Sequence, residues 1–223
     1  FTTSRPIKMV YTLDGTTPTP SSPIYTSPIR VSDNTIIKIA TVLPSGKMSR
    51  IRTVNVEKQT YAPAIKIDGV KSGLQMSRVK GNFLKVDDLN WTDAEWEKSI
   101  ISNLEQIKIQ RKDDGATLRG ANNYAAIAEG YINIPEDGVY YLSSRLEQVW
   151  IDNKLVVNNE GDVKASTMND SSVALAKGLH PIKVVFLANI IGGWPSWWSS
   201  TAIEMRKDNE KEFTAVGGSQ LFR

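Results

Sequence analysis

Cysteine is absent from the 223 residues, which removes disulfides, thiolate nucleophiles and zinc–thiolate sites together. Histidine occurs once, at His180. One imidazole with no thiol offers little from which to build a metal cluster or a nucleophilic triad, so a structural role is expected of it. No apolar run approaches the roughly 18–20 residues that span a bilayer, so no membrane span is expected. Lysine plus arginine number 27 against 24 acids. The excess is spread along the chain without a basic block, which argues against a nucleic-acid partner. There is no Walker loop and no G-x-G-x-x-G, and no cofactor is implied. The chain opens at Phe1 without a methionine, a charged n-region or an apolar h-region. It reads as an excised segment whose targeting signal, if there is one, lies upstream.

What is present fits an ordinary globular protein: 40% hydrophobic residues and a mean hydropathy of −0.28. The length suits one large domain or two smaller ones. Met9–Leu13 is a short β-type run, followed by the tight-turn dipeptide Asp14-Gly15. Residues 16–28 carry Pro18, Pro20, Pro23 and Pro28 among threonines and serines, a composition that neither a helix nor a central strand tolerates. Thr35–Val42 reads as a strand, Pro44-Ser45-Gly46 as a turn and Ile51–Val56 as another strand. The pattern lapses near Glu57–Pro63, which suggests a linker.

A larger unit follows. Its one helical candidate is Thr92–Ile101, where Thr92 and Glu95 have capping-box spacing ahead of Trp96, Ile100 and Ile101. After residue 105 the chain is strand-like throughout. Ile132 and Ile134 alternate with Tyr131 and Asn133, and Pro135–Gly138 closes that strand in a turn. Val139–Leu142, Val149–Ile151 and Leu155–Val157 come next. Ile182–Leu187 is apolar on one face and nearly so on the other, as in a packed sandwich.

These residues carry two resemblances. Tyr11-Thr12-Leu13-Asp14-Gly15-Thr16-Thr17-Pro18, Ser22-Pro23-Ile24-Tyr25 and Pro28-Ile29 resemble the signature of the chitobiase/β-hexosaminidase C-terminal module, an immunoglobulin- or fibronectin-like sandwich. Gly130–Tyr140, Val149–Val156 and Leu175–Val184 resemble three ordered motifs of the protective-antigen-14 (PA14) domain, a β-sandwich of glycosidases, adhesins and toxins. The order of the two is similar to the tail of bacterial family-20 glycoside hydrolases, the β-N-acetylhexosaminidases. The resemblance implies an all-β chain: a small sandwich over residues 1–60 and a larger PA14-type sandwich over 61–223, with at most one short helix. It also implies a non-catalytic C-terminal accessory region, periplasmic, cell-surface or secreted, that braces the catalytic domain and could contribute to its substrate cleft, with a calcium-independent carbohydrate-binding module using exposed tryptophans as the alternative. Its partner would be an upstream catalytic domain of the same polypeptide, and a glycan is a second candidate ligand.

Family-20 catalysis uses an adjacent Asp-Glu pair, and no such dipeptide occurs here. Asp87-Asp88, Asp113-Asp114-Gly115 and Glu136-Asp137-Gly138 read as solvated turn carboxylates, so no catalytic residue is assigned. Sugar-binding PA14 members hold calcium with an Asp-Asp pair before the W-I-D-G strand. Here the aligned positions are Ser144 and Arg145, with Leu146 where glycine is usual. Calcium needs several oxygen ligands, preferably anionic, and an arginine repels it; no metal site is expected. The sequons Asn90-Trp91-Thr92 and Asn169-Asp170-Ser171 carry no weight in a bacterial chain.

One loop resists a purely structural reading. Gly192-Gly193-Trp194-Pro195-Ser196-Trp197-Trp198 places three tryptophans in five residues. Leaving one half exposed forgoes about 2–3 kcal/mol of burial at about 25 cal/mol per Å². Trp194, Trp197 and Trp198 are therefore candidates for contact with a glycan, with packing between modules or a place in the domain core as the alternatives.

Overall fold

The computed structural model describes residues 7–89, 95–108, 124–160, 169–188, 190–191, 194–195 and 200–223. The chain forms two compact units, Phe1–Thr60 and Tyr61–Arg223.

In the first unit, β1 (Lys8–Thr12), β2 (Thr35–Val42) and β3 (Arg52–Val56) form an antiparallel sheet in the order β1-β2-β3. The proline-rich segment between β1 and β2 follows the edge of β1, where the Tyr11 amide donates to the Pro23 carbonyl and the Tyr25 amide to that of Met9. Proline suits an edge because it has no N–H to offer a ladder. The Asp14-Gly15 turn is fixed by the Asp14 carboxylate, which accepts from the amide and hydroxyl of Thr16. Those two bonds hold its pKa below the ordinary value.

The second unit is a two-sheet sandwich. Its strands are β4 (Leu74–Lys80), β5 (Glu97–Ile101), β6 (Tyr124–Ile134), β7 (Gly138–Ser144), β8 (Gln148–Ile151), β9 (Lys154–Asn158), β10 (Asn169–Leu175) and β11 (Gly178–Ala188). The short β12 (Ile190–Ile191), β13 (Trp194–Pro195), β14 (Ile203–Lys207), β15 (Thr214–Ala215) and β16 (Leu221–Phe222) complete it. One sheet has the order β5-β4-β6-β11-β8-β9, with β16 also on β6; the other runs β10-β7-β14-β15. The core lies between them. Met76, Ala128, Ile132 and Val184 from the first sheet meet Leu142, Val173 and Ile203 from the second.

The alternation read in the sequence is the one the sheets use: Ile132 and Ile134 are fully buried while Asn133 is exposed. The expected helix is corrected. Thr92 lies outside the described residues, but Glu97–Ile101 is the strand β5, paired antiparallel with β4 from Arg78 to Leu74. Its alternation is that of an edge strand, with Ile101 buried and Ile100 61% exposed. The pairing supplies five residues' worth of ladder and overrides a local capping-box spacing. The described helical segments are 3-10 turns only, at Val86–Asp88, Leu104–Ile107 and Gly218–Gln220. The linker reading is also trimmed. The Ala62 amide donates to Ala174 and its carbonyl accepts from Ala176, so this residue is stitched to the end of β10.

Candidate functional site

Strand register lays out the outer face of the larger sheet in transverse rows. One row is Val79, Ala125 and Leu187; the next is Ser77, Ile127, Val185 and Gln148; the third is Gln75, Glu129, Lys183 and Trp150. Cross-strand partners share a face, so each row projects the same way. The apolar end is covered: Phe83, Val86, Leu89 and Trp96 pack over Val79, Ala125, Ile127, Val185 and Leu187. The polar third row is left as the floor of a groove of about 590 Å³, with Tyr131, Asn153 and Arg223 on its walls.

Trp150 is half-buried in this groove, and its indole is tethered. Its Nε1–H donates to Gln148 Oε1 at 3.0 Å, and the Gln148 amide lies 3.4 Å from Glu160 Oε2. Glu160 Oε1 in turn accepts from the Val86 amide at 2.8 Å. The ring's orientation is thus set by a chain of hydrogen bonds that ends in the covering turn. Lys183 Nζ lies 5.8 Å from the ring centroid, within cation–π reach. Asn153 is presented by the β8–β9 turn, whose Asp152 and Asn153 take φ of 50° and 61°, the left-handed region that Asp and Asn tolerate best.

Trp197 and Trp198 lie outside the described residues. Trp194 begins β13, its backbone paired with Ile191 of β12. His180 is fully buried, with Nδ1 at 2.8 Å from Asp152 Oδ2 and Nε2 at 2.7 Å from the Ala176 carbonyl. Both ring nitrogens are used: Nδ1 holds the β8–β9 turn to β11, and Nε2 holds the β10–β11 turn. Asp88 accepts from the amides of Leu84 and Lys85, and Asp137 from that of Lys177. Glu136 pairs with Lys207 at 2.9 Å. Each of these carboxylates closes a turn or a surface pair. Asp113 and Asp114 lie outside the described residues.

Ser144 and Leu146, in the stretch where the sequence departs from the calcium-binding pattern, are bonded within the fold. Ser144 Oγ donates to the Ala202 carbonyl, and the buried Asn159 amide donates to the carbonyls of Ser144 at 2.7 Å and Leu146 at 2.9 Å. Both carbonyls thus already accept from the Asn159 side chain, which ties this turn to the end of β9. Among the described residues, no group of three His, Asp or Glu could hold a metal.

Sequence reasoning passed over Trp150, Glu129 and Lys183 as site residues. The signal was parity: Val149 and Ile151 point inward, so Trp150 points out. Lys183 interrupts an otherwise apolar run in the same way.

Residues 1–53 match the chitobiase/beta-hexosaminidase C-terminal domain family, and residues 102–211 match the PA14 domain family. The whole chain is 40% identical to a beta-hexosaminidase of Porphyromonas gingivalis (strain ATCC BAA-308 / W83), of which it spans 28% of the length. Among solved structures, the PA14 domain of the antifreeze protein MpAFP aligns at 12% identity with a TM-score of 0.49, over 74% of this chain and 96% of that one. The epithelial adhesin 9 A domain of Candida glabrata, in complex with Galβ1-3GlcNAc, aligns at 14% identity with a TM-score of 0.45, over 71% of this chain and 92% of that one. Segment by segment the chain is thus similar to a chitobiase/beta-hexosaminidase C-terminal domain followed by a PA14 domain, and along its full length to part of a beta-hexosaminidase.

Proposed function

We propose that this chain is a non-catalytic accessory region of a family-20 β-N-acetylhexosaminidase that acts outside the cytoplasm. Its first unit braces the catalytic domain of the same polypeptide. The observation that carries the bracing role is the distribution of apolar side chains in that unit. Among its described residues, Val10, Ile37, Ile39 and Ala40 are buried, whereas Leu13, Ile24, Ile36, Leu43, Ile51 and Val54 are 38–53% exposed. A unit that exposes more large apolar groups than it buries presents surface suited to a partner. The match to 28% of a longer hexosaminidase supplies such a partner within one chain. Asp88, Asp137 and Glu136, acids of the sequence's acidic pairs, are engaged with backbone amides or a lysine, which supports a region without chemistry of its own.

The test compares the full-length polypeptide with a version lacking this chain, using a chromogenic N-acetylglucosaminide. The truncated enzyme is expected to hydrolyse the substrate but to melt several degrees lower. Equal melting temperatures, or hydrolysis by the 223-residue chain alone, overturn the reading. Glycan binding without calcium is a second reading, supported by the tethered tryptophan in the groove of the second unit.

A further inference from the structure

We propose that the groove on the outer face of the second unit is a calcium-independent site for a neutral oligosaccharide. One pyranose stacks on Trp150, and hydroxyls along the chain are held by Gln75, Glu129 and Lys183. Its named residues are other than Trp194, Trp197 and Trp198, the tryptophans that composition singles out.

Three features support it. The first is the aromatic platform. A sugar presents an apolar face of C–H groups, and an indole offers a flat surface to it. The tether through Gln148 and Glu160 fixes the ring before ligand arrives, so little ordering is left to binding.

The second is the order of polar groups beside it. Strands lie about 4.8 Å apart, so the row from Gln75 to Trp150 crosses three gaps and runs about 14 Å, the length of a short oligosaccharide. Along it stand a group that donates and accepts, one that only accepts and one that only donates. A hydroxyl donates and accepts at once, so adjacent hydroxyls match the neighbouring Glu129 and Lys183. A polyanion would meet the Glu129 carboxylate, and a polycation would meet Lys183 and Arg223.

The third is selective uncovering. In β6 and β11 the outward positions packed under Phe83, Val86, Leu89 and Trp96 are apolar, Ala125, Ile127, Val185 and Leu187, and the next pair along, Glu129 and Lys183, is charged and lines the groove. The volume of about 590 Å³ lies in the usual range for ligand sites.

The choice of N-acetylglucosamine as the sugar unit rests on the hexosaminidase reading; the groove as a neutral-glycan site does not. The 223-residue chain, in EDTA, is titrated with triacetylchitotriose and separately with cellotriose, by calorimetry and by ¹⁵N–¹H correlation spectra. The expected result is saturable binding of triacetylchitotriose with shifts at Gln75, Glu129, Lys183 and the Trp150 indole. Trp150→Ala is expected to weaken it at least about tenfold, and Glu129→Gln about threefold or more, with the melting temperature of the latter unchanged. Should Trp150→Ala fail to fold, Glu129→Gln on its exposed side chain carries the test. Binding of cellotriose with the same shifts and no binding of triacetylchitotriose upholds the groove and overturns the choice of sugar. The proposal is overturned by no saturable binding of either sugar at millimolar concentration, by binding that EDTA abolishes, by wild-type affinity in both variants, or by shifts centred on Trp194–Trp198.

Discussion

At the scale of single residues, His180 shows how this chain spends its one imidazole. It is wholly buried between an acceptor on the β8–β9 turn and another ahead of β11. Removing the ring would leave Asp152 and the Ala176 carbonyl without that hydrogen-bond partner, together with a cavity. His180→Ala is therefore expected to cost about 2–3 kcal/mol in urea denaturation, since Asp152 is partly solvated and the full penalty of a broken buried pair does not apply. Asp152→Asn keeps the left-handed turn and should cost about 1 kcal/mol. A loss from His180→Ala no larger than that from Asp152→Asn would contradict this account. The structural role of His180 was legible because a lone imidazole without thiols points away from chemistry. Trp150 was not legible in the same way. Its role depends on Gln75, Glu129 and Lys183, and those four residues are neighbours only through register across four strands. Tryptophans 194, 197 and 198 drew attention by density along the chain, which is the one kind of proximity a sequence displays.

At the scale of elements, one edge of β6 changes partner. It pairs with β4 as far as Glu129 and with β16 from Tyr131 onward. Gly130 sits at the junction, where a Cβ would stand 2.2 Å from the Phe222 carbonyl oxygen and 2.7 Å from Leu74 Cδ2. Its φ is ordinary; close approach is what requires glycine. Gly130→Ala is expected to cost about 2–3 kcal/mol and to speed hydrogen exchange at Gly73, whose amide donates to the Leu221 carbonyl. Unchanged exchange there would show that β16 is held by something other than this fit.

Glu105 makes a second link, from the Leu104–Ile107 turn to the approach to β14. It accepts from the Thr201 amide at 3.1 Å and pairs with Lys108 at 2.7 Å. Partial burial pushes its pKa up, but the hydrogen bond and charge of Lys108, with the Thr201 donors, outweigh that and leave it below the ordinary value. A lowered carboxyl pKa contributes stability above its unfolded value and loses it as pH falls through the folded one. Because the side chain is 53% exposed, Glu105→Gln should cost less than about 1 kcal/mol at neutral pH. The difference from wild type should close below about pH 4; a gap independent of pH would refute the linkage. Period-2 runs such as Ile132–Ile134 were legible as elements because burial alternates within a few residues. Glu97–Ile101 was misread as helix because its strand state comes from β4, some twenty residues earlier.

At the scale of the whole molecule, the two units differ in how far each can bury its own apolar side chains. The second has a continuous core between two sheets, whereas the first, among its described residues, buries four hydrophobic residues and leaves six large ones substantially exposed. If the rest of a longer polypeptide covers that surface, substitutions there should matter only in its presence. Ile36 and Val54 make the test, because register places them on opposite faces of the sheet: Ile36 pairs with Asn55, and Val54 with the buried Ile37. In the 223-residue chain, Ile36→Thr and Val54→Thr should each cost less than about 1 kcal/mol, since half-exposed side chains forgo little transfer energy. In the full-length polypeptide the variant on the covered face should cost about 1–2 kcal/mol, while the other stays near neutral. The face that responds is the face that braces, and costs that are equally small in both contexts for both variants would remove the bracing role.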